Sequence, residues 1–270
     1  MSARPGIVGI VNVTTDSFSD GGRYLDADAA LAHARALVDA GADVIELGPA
    51  SSHPDAQAVG ADEEIARMAG ILDSLVADGV CVSVDSWQPA VQRHALAAGA
   101  AWLNDICGFP DASVYAELAS SSAKLVVMHS VVGRARADRG ERSAADVVAA
   151  IDAFFDARID ALERAGVDRD RLILDPGMGF FLGSNPEPSL AVLAGLPRLR
   201  ERYGLPVLVS VSRKSFLGAV TGRAVGERAA ATLAAELFAA ERGVDYLRTH
   251  DVGALVDGLT MQARLRGFDS

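Results

Sequence analysis

The chain is poor in cysteine, poor in positive charge and free of long apolar runs, and each shortage removes a class of function. Its two cysteines, Cys81 and Cys107, form no CxxC pair, which argues against a dithiol redox centre or a thiolate metal cage and suits small buried thiols in a reducing compartment. Lys and Arg number 25 against 36 Asp and Glu, a formal net charge of -11. A field of that sign repels nucleic acid and anionic membrane surfaces, so neither is expected as a partner, and an anionic substrate must meet a local basic cluster. No apolar run approaches the ~20 residues of a membrane span, and the N-terminus lacks the basic head and apolar core of an export signal. The expected location is the cytoplasm. No linker-like stretch interrupts the chain, so one domain over residues 1–270 is expected, with the Ala-rich segments as helix formers.

What the sequence does contain is a repeating alternation of short apolar runs and longer amphipathic segments. Strands are expected at 7–11, 44–47, 80–84, 102–104, 125–128, 172–174, 207–210 and 246–247. Helices between them are bounded by signals such as Gly41, Gly79, Pro89, Gly99, a capping Ser143 and Gly166. About eight strand and helix pairs in this order predict a closed α/β barrel, the (β/α)8 TIM barrel. A doubly wound sheet would place a Gly-rich fingerprint after the first strand, where the chain reads Asn12-Val-Thr-Thr-Asp16.

In such a barrel the loops after the strands meet on one face, so residues remote in sequence become neighbours. The set this gathers is Asn12, Asp20, Asp85, Asn104, Met128, Asp175, Lys214, Arg248 and His250. Asp85, Asn104 and Asp175 suit a flat, nitrogen-rich heterocycle hydrogen-bonded along its edge. Asn12, Arg248 and His250 lie on the first and last strands, which adjoin when a barrel closes. There they can grip a diphosphate, with the Asn12 carbonyl also a candidate ligand for magnesium. Ser212-Arg-Lys-Ser215 adds two cations after the seventh strand. Each residue taken singly can equally cap a helix or form a turn. The Glu63-Glu64 pair and the Arg-rich stretch 134–142 read as solvated faces.

These motifs resemble the dihydropteroate synthases. The resemblance rests on Gly9-Ile-Val-Asn-Val-Thr-Thr-Asp-Ser-Phe-Ser-Asp-Gly-Gly22, Val84-Asp85-Ser86, Asn104-Asp105-Ile106, Met128-His129, Asp175-Pro-Gly-Met-Gly-Phe180, Ser212-Arg-Lys-Ser215 and Arg248-Thr-His-Asp251. They span nearly the whole chain in the family's order. The resemblance implies a pterin-binding barrel that joins hydroxymethyl-dihydropterin diphosphate to para-aminobenzoate in folate biosynthesis, with Mg2+, as a homodimer. It implies that Asp85, Asn104, Asp175 and Lys214 surround the pterin, with Ile106 and Met128 on its faces. Asn12, Arg248 and His250 would hold diphosphate and metal, Asp20 would lie on the first loop, and Phe180 and Ser215 would border the aminobenzoate.

Two loops depart from the family pattern. After the second strand the chain reads Ala50-Ser-Ser-His-Pro-Asp55, with His53 where most members carry Arg. After Asp175-Pro-Gly it reads Gly179-Phe-Phe-Leu-Gly183. Both resemble the sulfonamide-insensitive synthases of resistant bacteria, and Ser52, His53, Phe180 and Phe181 become candidates for the aminobenzoate side, with one of the aromatics narrowing the mouth. The rival readings are a pterin-dependent methyltransferase, which would have little use for the Arg-Lys pair with Arg248 and His250, and a silent pterin-binding protein.

Overall fold

The structure is a computed structural model that describes residues 4–13, 27–50, 59–130 and 143–267. The chain runs β1 (Gly6–Asn12), α1 (Ala27–Asp39), β2 (Val44–Gly48), α2 (Ala61–Ala77), β3 (Val82–Asp85), α3 (Pro89–Ala97), β4 (Trp102–Asp105) and α4 (Tyr115–Ser120). It continues through β5 (Lys124–Met128), α5 (Ala144–Arg164), β6 (Leu172–Asp175), α6 (Pro186–Ala194), α7 (Leu196–Tyr203), β7 (Leu208–Val209), α8 (Ser215–Thr221), α9 (Ala229–Glu241), β8 (Tyr246–Thr249) and α10 (Val252–Arg266). The strands form one sheet in the order β6-β5-β4-β3-β2-β1-β8-β7, and all named neighbours are parallel. A parallel bridge between Leu174 and Val207 joins the two outer strands, which closes the ring into the expected (β/α)8 barrel.

The alternation of the sequence sets what lies inside. Side chains of a strand point to opposite faces in turn, and here one parity faces the helices and the other the barrel interior. Ile7, Val11, Ile45, Leu47, Val82, Val84, Leu103, Leu125, Val127, Leu172, Leu174 and Leu247 all join the large core shared with the helices. Val8, Val44, Trp102, Val126, Ile173 and Leu208 form a separate cluster, joined by Cys81 and Tyr246. This second cluster is a plug of one residue per strand. Trp102 and Tyr246 meet edge to face at 4.8 Å, and the Lys124 ammonium lies 5.3 Å from the Trp102 ring centre. Cys81 and Cys107 are half-buried, less sheltered than the sequence suggests.

Local signals worked as the sequence predicts at α5, where the Ser143 hydroxyl accepts the Asp146 N–H at 3.1 Å. The segments after β6 and β7 each divide into two helices. Gly195 and Pro197 separate the first pair, and Gly222, at φ +72°, ends α8 in a left-handed turn. Glu64 contradicts the reading of its pair as a solvated face: it is buried and accepts from the Ser86 hydroxyl at 2.7 Å and from Gln88.

If the plug is the floor of the barrel, Trp102→Ala should cost about 3–5 kcal/mol of unfolding free energy. Chemical denaturation of the two proteins measures this directly.

Candidate active site

Moving two residues along from the plug keeps the inward parity and replaces the floor side chains with polar ones on every strand but β1 and β5, which carry Ile10 and Met128. Val44 leads to Glu46, Trp102 to Asn104, Val126 to Met128, Ile173 to Asp175, Leu208 to Ser210 and Tyr246 to Arg248. On β3 the column runs Cys81, Ser83, Asp85. The result is a ring of hydrogen-bonding groups immediately above an apolar floor, at the C-terminal face where barrels carry their sites.

At its centre Glu46 is 0% exposed. One of its oxygens accepts from the Ser83 hydroxyl at 2.9 Å and the Asn104 Nδ2 at 3.2 Å, and the other accepts from Arg248 Nε. Arg248 also donates Nη2 to Asp85 Oδ2 at 3.2 Å and Nη1 to Ser210 Oγ at 3.4 Å. The Asn104 Oδ1 is buried and has no hydrogen-bond partner among the described residues. Sequence reasoning missed Glu46, Ser210 and Met178. For Glu46 a signal existed, because a carboxylate inside Val44-Ile-Glu-Leu-Gly48 has no route to water from a central strand and must find a cation.

Asp85, Asn104, Ile106, Met128, Met178, Phe181, Ser210, Lys214 and Arg248 line one open cleft with about 300 Å³ of empty space. Six of these nine were expected at the pterin or aminobenzoate side from sequence, besides Arg248. Asp175 stands next to Met128 across the β5–β6 register, and its Oδ1 accepts the Gly177 N–H at 2.8 Å. Gly177 has φ +72°, and a β-carbon there would fall 2.3 Å from the His129 carbonyl oxygen, so only glycine lets this loop close on the carboxylate. The Lys214 ammonium lies 4.5 Å from the Phe181 ring centre.

Electrostatics mark the cleft as unusual. Burial, then the neighbouring Glu46, pushes Asp85 up to about 7 despite Arg248 and Lys214. Burial likewise raises Asp175 to about 6, against the Gly177 hydrogen bond and Lys214. Burial and the Arg248 charge lower Lys214 to about 8. Perturbed groups gathered in one cleft are the mark of a functional site. His250 is pushed down to about 3 by burial and then by Arg213, Arg248 and Lys214, so its imidazole is neutral at pH 7; its Nδ1 lies 2.8 Å from the Ser212 hydroxyl.

Other expected residues stand at the border. Asn12 ends β1 with its side chain exposed, beside Gly48, where a β-carbon would lie 3.4 Å from its Oδ1. Phe180 is 43% exposed, and Ser215 opens α8 against the Gly179 backbone, where a β-carbon would come 2.9 Å from its Oγ. Asp20, Ser52, His53 and the stretch 134–142 lie outside the described residues. Asp105, beside Asn104 in sequence, turns out of the ring. Its carboxylate accepts from Cys107 N at 2.7 Å and Gln92 Nε2 at 2.9 Å, a turn-holding role.

One buried acid behind the site gives a pH test. Glu236 on α9 is 2% exposed, one of its oxygens has no partner, and burial pushes it up to about 7 against a hydrogen bond from Thr249. A carboxyl raised on folding contributes stability that is complete below its unfolded value near 4.5 and is lost as pH rises through about 7. Comparing unfolding of the native protein and Glu236→Gln at pH 5 and pH 8 should show the variant gaining on the order of 2–3 kcal/mol relative to the native protein at the higher pH.

The comparisons with known proteins agree with this geometry. The chain is 63% identical over 260 residues to an Escherichia coli protein named dihydropteroate synthase type-2, covering 96% of each. It superposes on the dihydropteroate synthase of Xanthomonas albilineans with 4-aminobenzoic acid at a TM-score of 0.88, with 42% identity over 97% of this chain and 93% of that one. The same bacterium's enzyme in complex with 7,8-dihydropteroate gives a TM-score of 0.85 and 40% identity, covering 97% and 94%. With residues 8–250 matching the pattern of the pterin binding enzymes, and an inward ring of acceptors of the kind a pterin edge requires, the chain belongs to the pterin binding enzyme family.

Proposed function

We propose that this protein is a dihydropteroate synthase, working as one pterin-binding domain: it joins 6-hydroxymethyl-7,8-dihydropterin diphosphate to para-aminobenzoate and releases diphosphate. The observation that carries the reading is the cleft itself. It offers a buried acceptor on Asn104 with no partner among the described residues, the Asp85 carboxyl and two cations, Lys214 and Arg248. Asp175 stands beside Met128 at the next strand, and burial raises both carboxyls, Asp85 to about 7 and Asp175 to about 6. A pterin ring presents the complement, an amino group and ring N–H to donate and ring oxygen and nitrogen to accept. Ile106, Met128 and Met178 supply the apolar faces.

In the reaction the bond between the pterin methylene carbon and the diphosphate oxygen breaks, the arylamine nitrogen bonds to that carbon, and the amine proton is lost. Positive charge develops on the pterin as diphosphate leaves. Asp85 and Asp175 would stabilise it from the floor of the cleft. The departing negative charge would meet the other side of the rim, where β1 and β8 are neighbours with Asn12 at the end of one and His250 just past the end of the other. Arg248 acts from within the carboxylate network, lending its charge while Glu46, Asp85 and Ser210 fix its position. The arylamine is weakly basic and needs mainly to be aimed.

Among the described residues no group of three or more His, Cys, Asp or Glu side chains could hold a metal ion. The Asn12 amide oxygen suits Mg2+ bound together with substrate oxygens, since that ion keeps most of its waters and takes phosphate ligands. Bound there, it would neutralise charge on the leaving diphosphate. The reading places the enzyme in the cytoplasm, consistent with two cysteines that form no disulfide. A homodimer is supported by Val220, Val225, Met261 and Leu265, large apolar side chains left exposed on and beside α8 and α10.

Sulfonamide insensitivity belongs to the same reading, and the structure separates the two candidate aromatics. Phe181 lines the cleft under Lys214, whereas Phe180 is largely exposed. A ring in that place leaves room for a flat carboxylate and clashes with a substituted sulfonyl group.

The test is dihydropteroate formation by the purified protein from the two substrates with Mg2+; no product would end the reading. Lys214→Ala should lower kcat/KM for the pterin substrate about 100-fold or more. Phe181→Leu should tighten sulfonamide inhibition about tenfold or more while Phe180→Leu changes it little; equal inhibition constants in all three proteins would remove Phe181 from that role.

A further inference from the structure

Asn104 can meet a ligand in two ways, because its side-chain amide carries a donor on one side and an acceptor on the other, and a half-turn exchanges them. Which face the cleft shows depends on what holds the other. In this chain the holder is a side chain outside the cleft lining. Glu46 lies wholly buried on β2, and three donors converge on its carboxylate: the Ser83 hydroxyl, the Asn104 amide nitrogen at 3.2 Å and the Arg248 guanidinium. Surrounded by donors, it acts purely as an acceptor. An amide facing it can present only its N–H, so its oxygen must turn the other way. That oxygen is the buried atom without a partner.

We propose that Glu46 is a positioning residue for ring recognition: by engaging Asn104 Nδ2 it locks the amide so that the cleft shows an acceptor, and thereby selects a ligand edge that donates. The inference rests on the synthase reading above and adds to it a residue that touches no substrate. Flipping the amide would set Nδ2–H against the ligand's own N–H and leave Oδ1 against the Glu46 carboxylate, two mismatches from one rotation. Ser83 and Arg248 make the lock rigid, because they hold the carboxylate on both oxygens and leave it no rotamer freedom to follow a flipped partner.

Glu46→Gln removes the lock, since a glutamine offers both a donor and an acceptor and tolerates either orientation of Asn104. Because the substitution also disturbs Arg248, the test is a double-mutant cycle with Asn104→Ala. Affinity for 6-hydroxymethylpterin, the bare ring without diphosphate, is read by calorimetry in the native protein, both single variants and the double variant, alongside KM and kcat.

The expected result is a ring dissociation constant raised about tenfold in Glu46→Gln, with a parallel rise in KM for the pterin substrate, an unchanged KM for aminobenzoate, and little further loss when Glu46→Gln is added to Asn104→Ala. Should Glu46→Gln fail to fold, Glu46→Asp retains the charge beside Arg248 and withdraws it from Asn104 by one methylene, and the same cycle is run with it. Ring affinity unchanged in a folded variant, or losses that simply add in the double variant, would overturn the proposal, the second because it would show Glu46 acting through Arg248 instead. Failure of the native protein to form dihydropteroate would instead end the synthase reading, so the two failures are distinguishable.

Discussion

The constraint on which the rest depends is that a closed parallel barrel gives every strand an inside, and that the inside is reached by every second residue. Once eight strands pair round the ring, a side chain of inward parity has no solvent to retreat to except at the two ends. The chain fills the lower part with Val8, Val44, Trp102, Val126, Ile173 and Leu208. Two residues further up it commits most of these positions to polar groups, Ile10 and Met128 excepted, and at that depth burial makes each polar group expensive unless paired. The floor and the site are therefore one design read at two heights.

Charge in the ring follows from that depth. Glu46, Asp85 and Asp175 face Arg248 and Lys214, three carboxyl groups to two cations. Arg248 is permanently charged and is shared between two of the acids. Burial, with the Glu46 charge added to it, is why Asp85 and Asp175 hold their protons more tightly than usual. An N–H-rich ring entering the cleft supplies donors to those oxygens, and a cation developing on the ring supplies the missing charge. In the proposed reaction these carboxyl groups meet the transition state's charge more fully than the ground state's, and such a difference is what accelerates a reaction.

Strand-end residues were the legible ones. Asp85, Asn104, Met128, Asp175 and Arg248 each close an apolar run, and a run that ends in a polar residue and a turn announces the rim of a barrel. Lys214 was legible through its neighbours in Ser212-Arg-Lys-Ser215. Glu46 was not, because it sits inside a strand with Leu47 and Gly48 still to come, and a reading that treats strands as uniform apolar blocks passes over it. The parity argument recovers it, since Val44 and Glu46 must face the same way. Ser210 and Met178 were hidden for a different reason: serine and methionine are at home in cores and loops alike, and only the position of Leu208 two residues earlier gives Ser210 its direction. The divided helices after β6 and β7 turned on Gly195 and Gly222, signals that were present but compatible with one kinked helix.

The separation between ring and rim explains how such a protein can change its inhibitors while keeping its reaction. Ring recognition is fixed from below by strands, where a substitution disturbs several partners at once: Glu46 alone has Ser83, Asn104 and Arg248. In the proposed reaction the aminobenzoate would approach from above, over loop residues such as Phe181 and Ser215, beside the glycine-permitted turn at 177–179. In that reaction the reacting amine is neutral and needs mainly direction, and the carboxylate at the far end of the same molecule stays at the mouth. Steric change at the mouth therefore costs the chemical step little, whereas the same volume change in the ring of Glu46, Asp85 and Asn104 would unbalance buried charge. On the proposed reading, discrimination against a bulkier competitor is built on a loop side chain, Phe181, that shares the cleft with Lys214 but takes no part in the hydrogen-bonded network around Glu46.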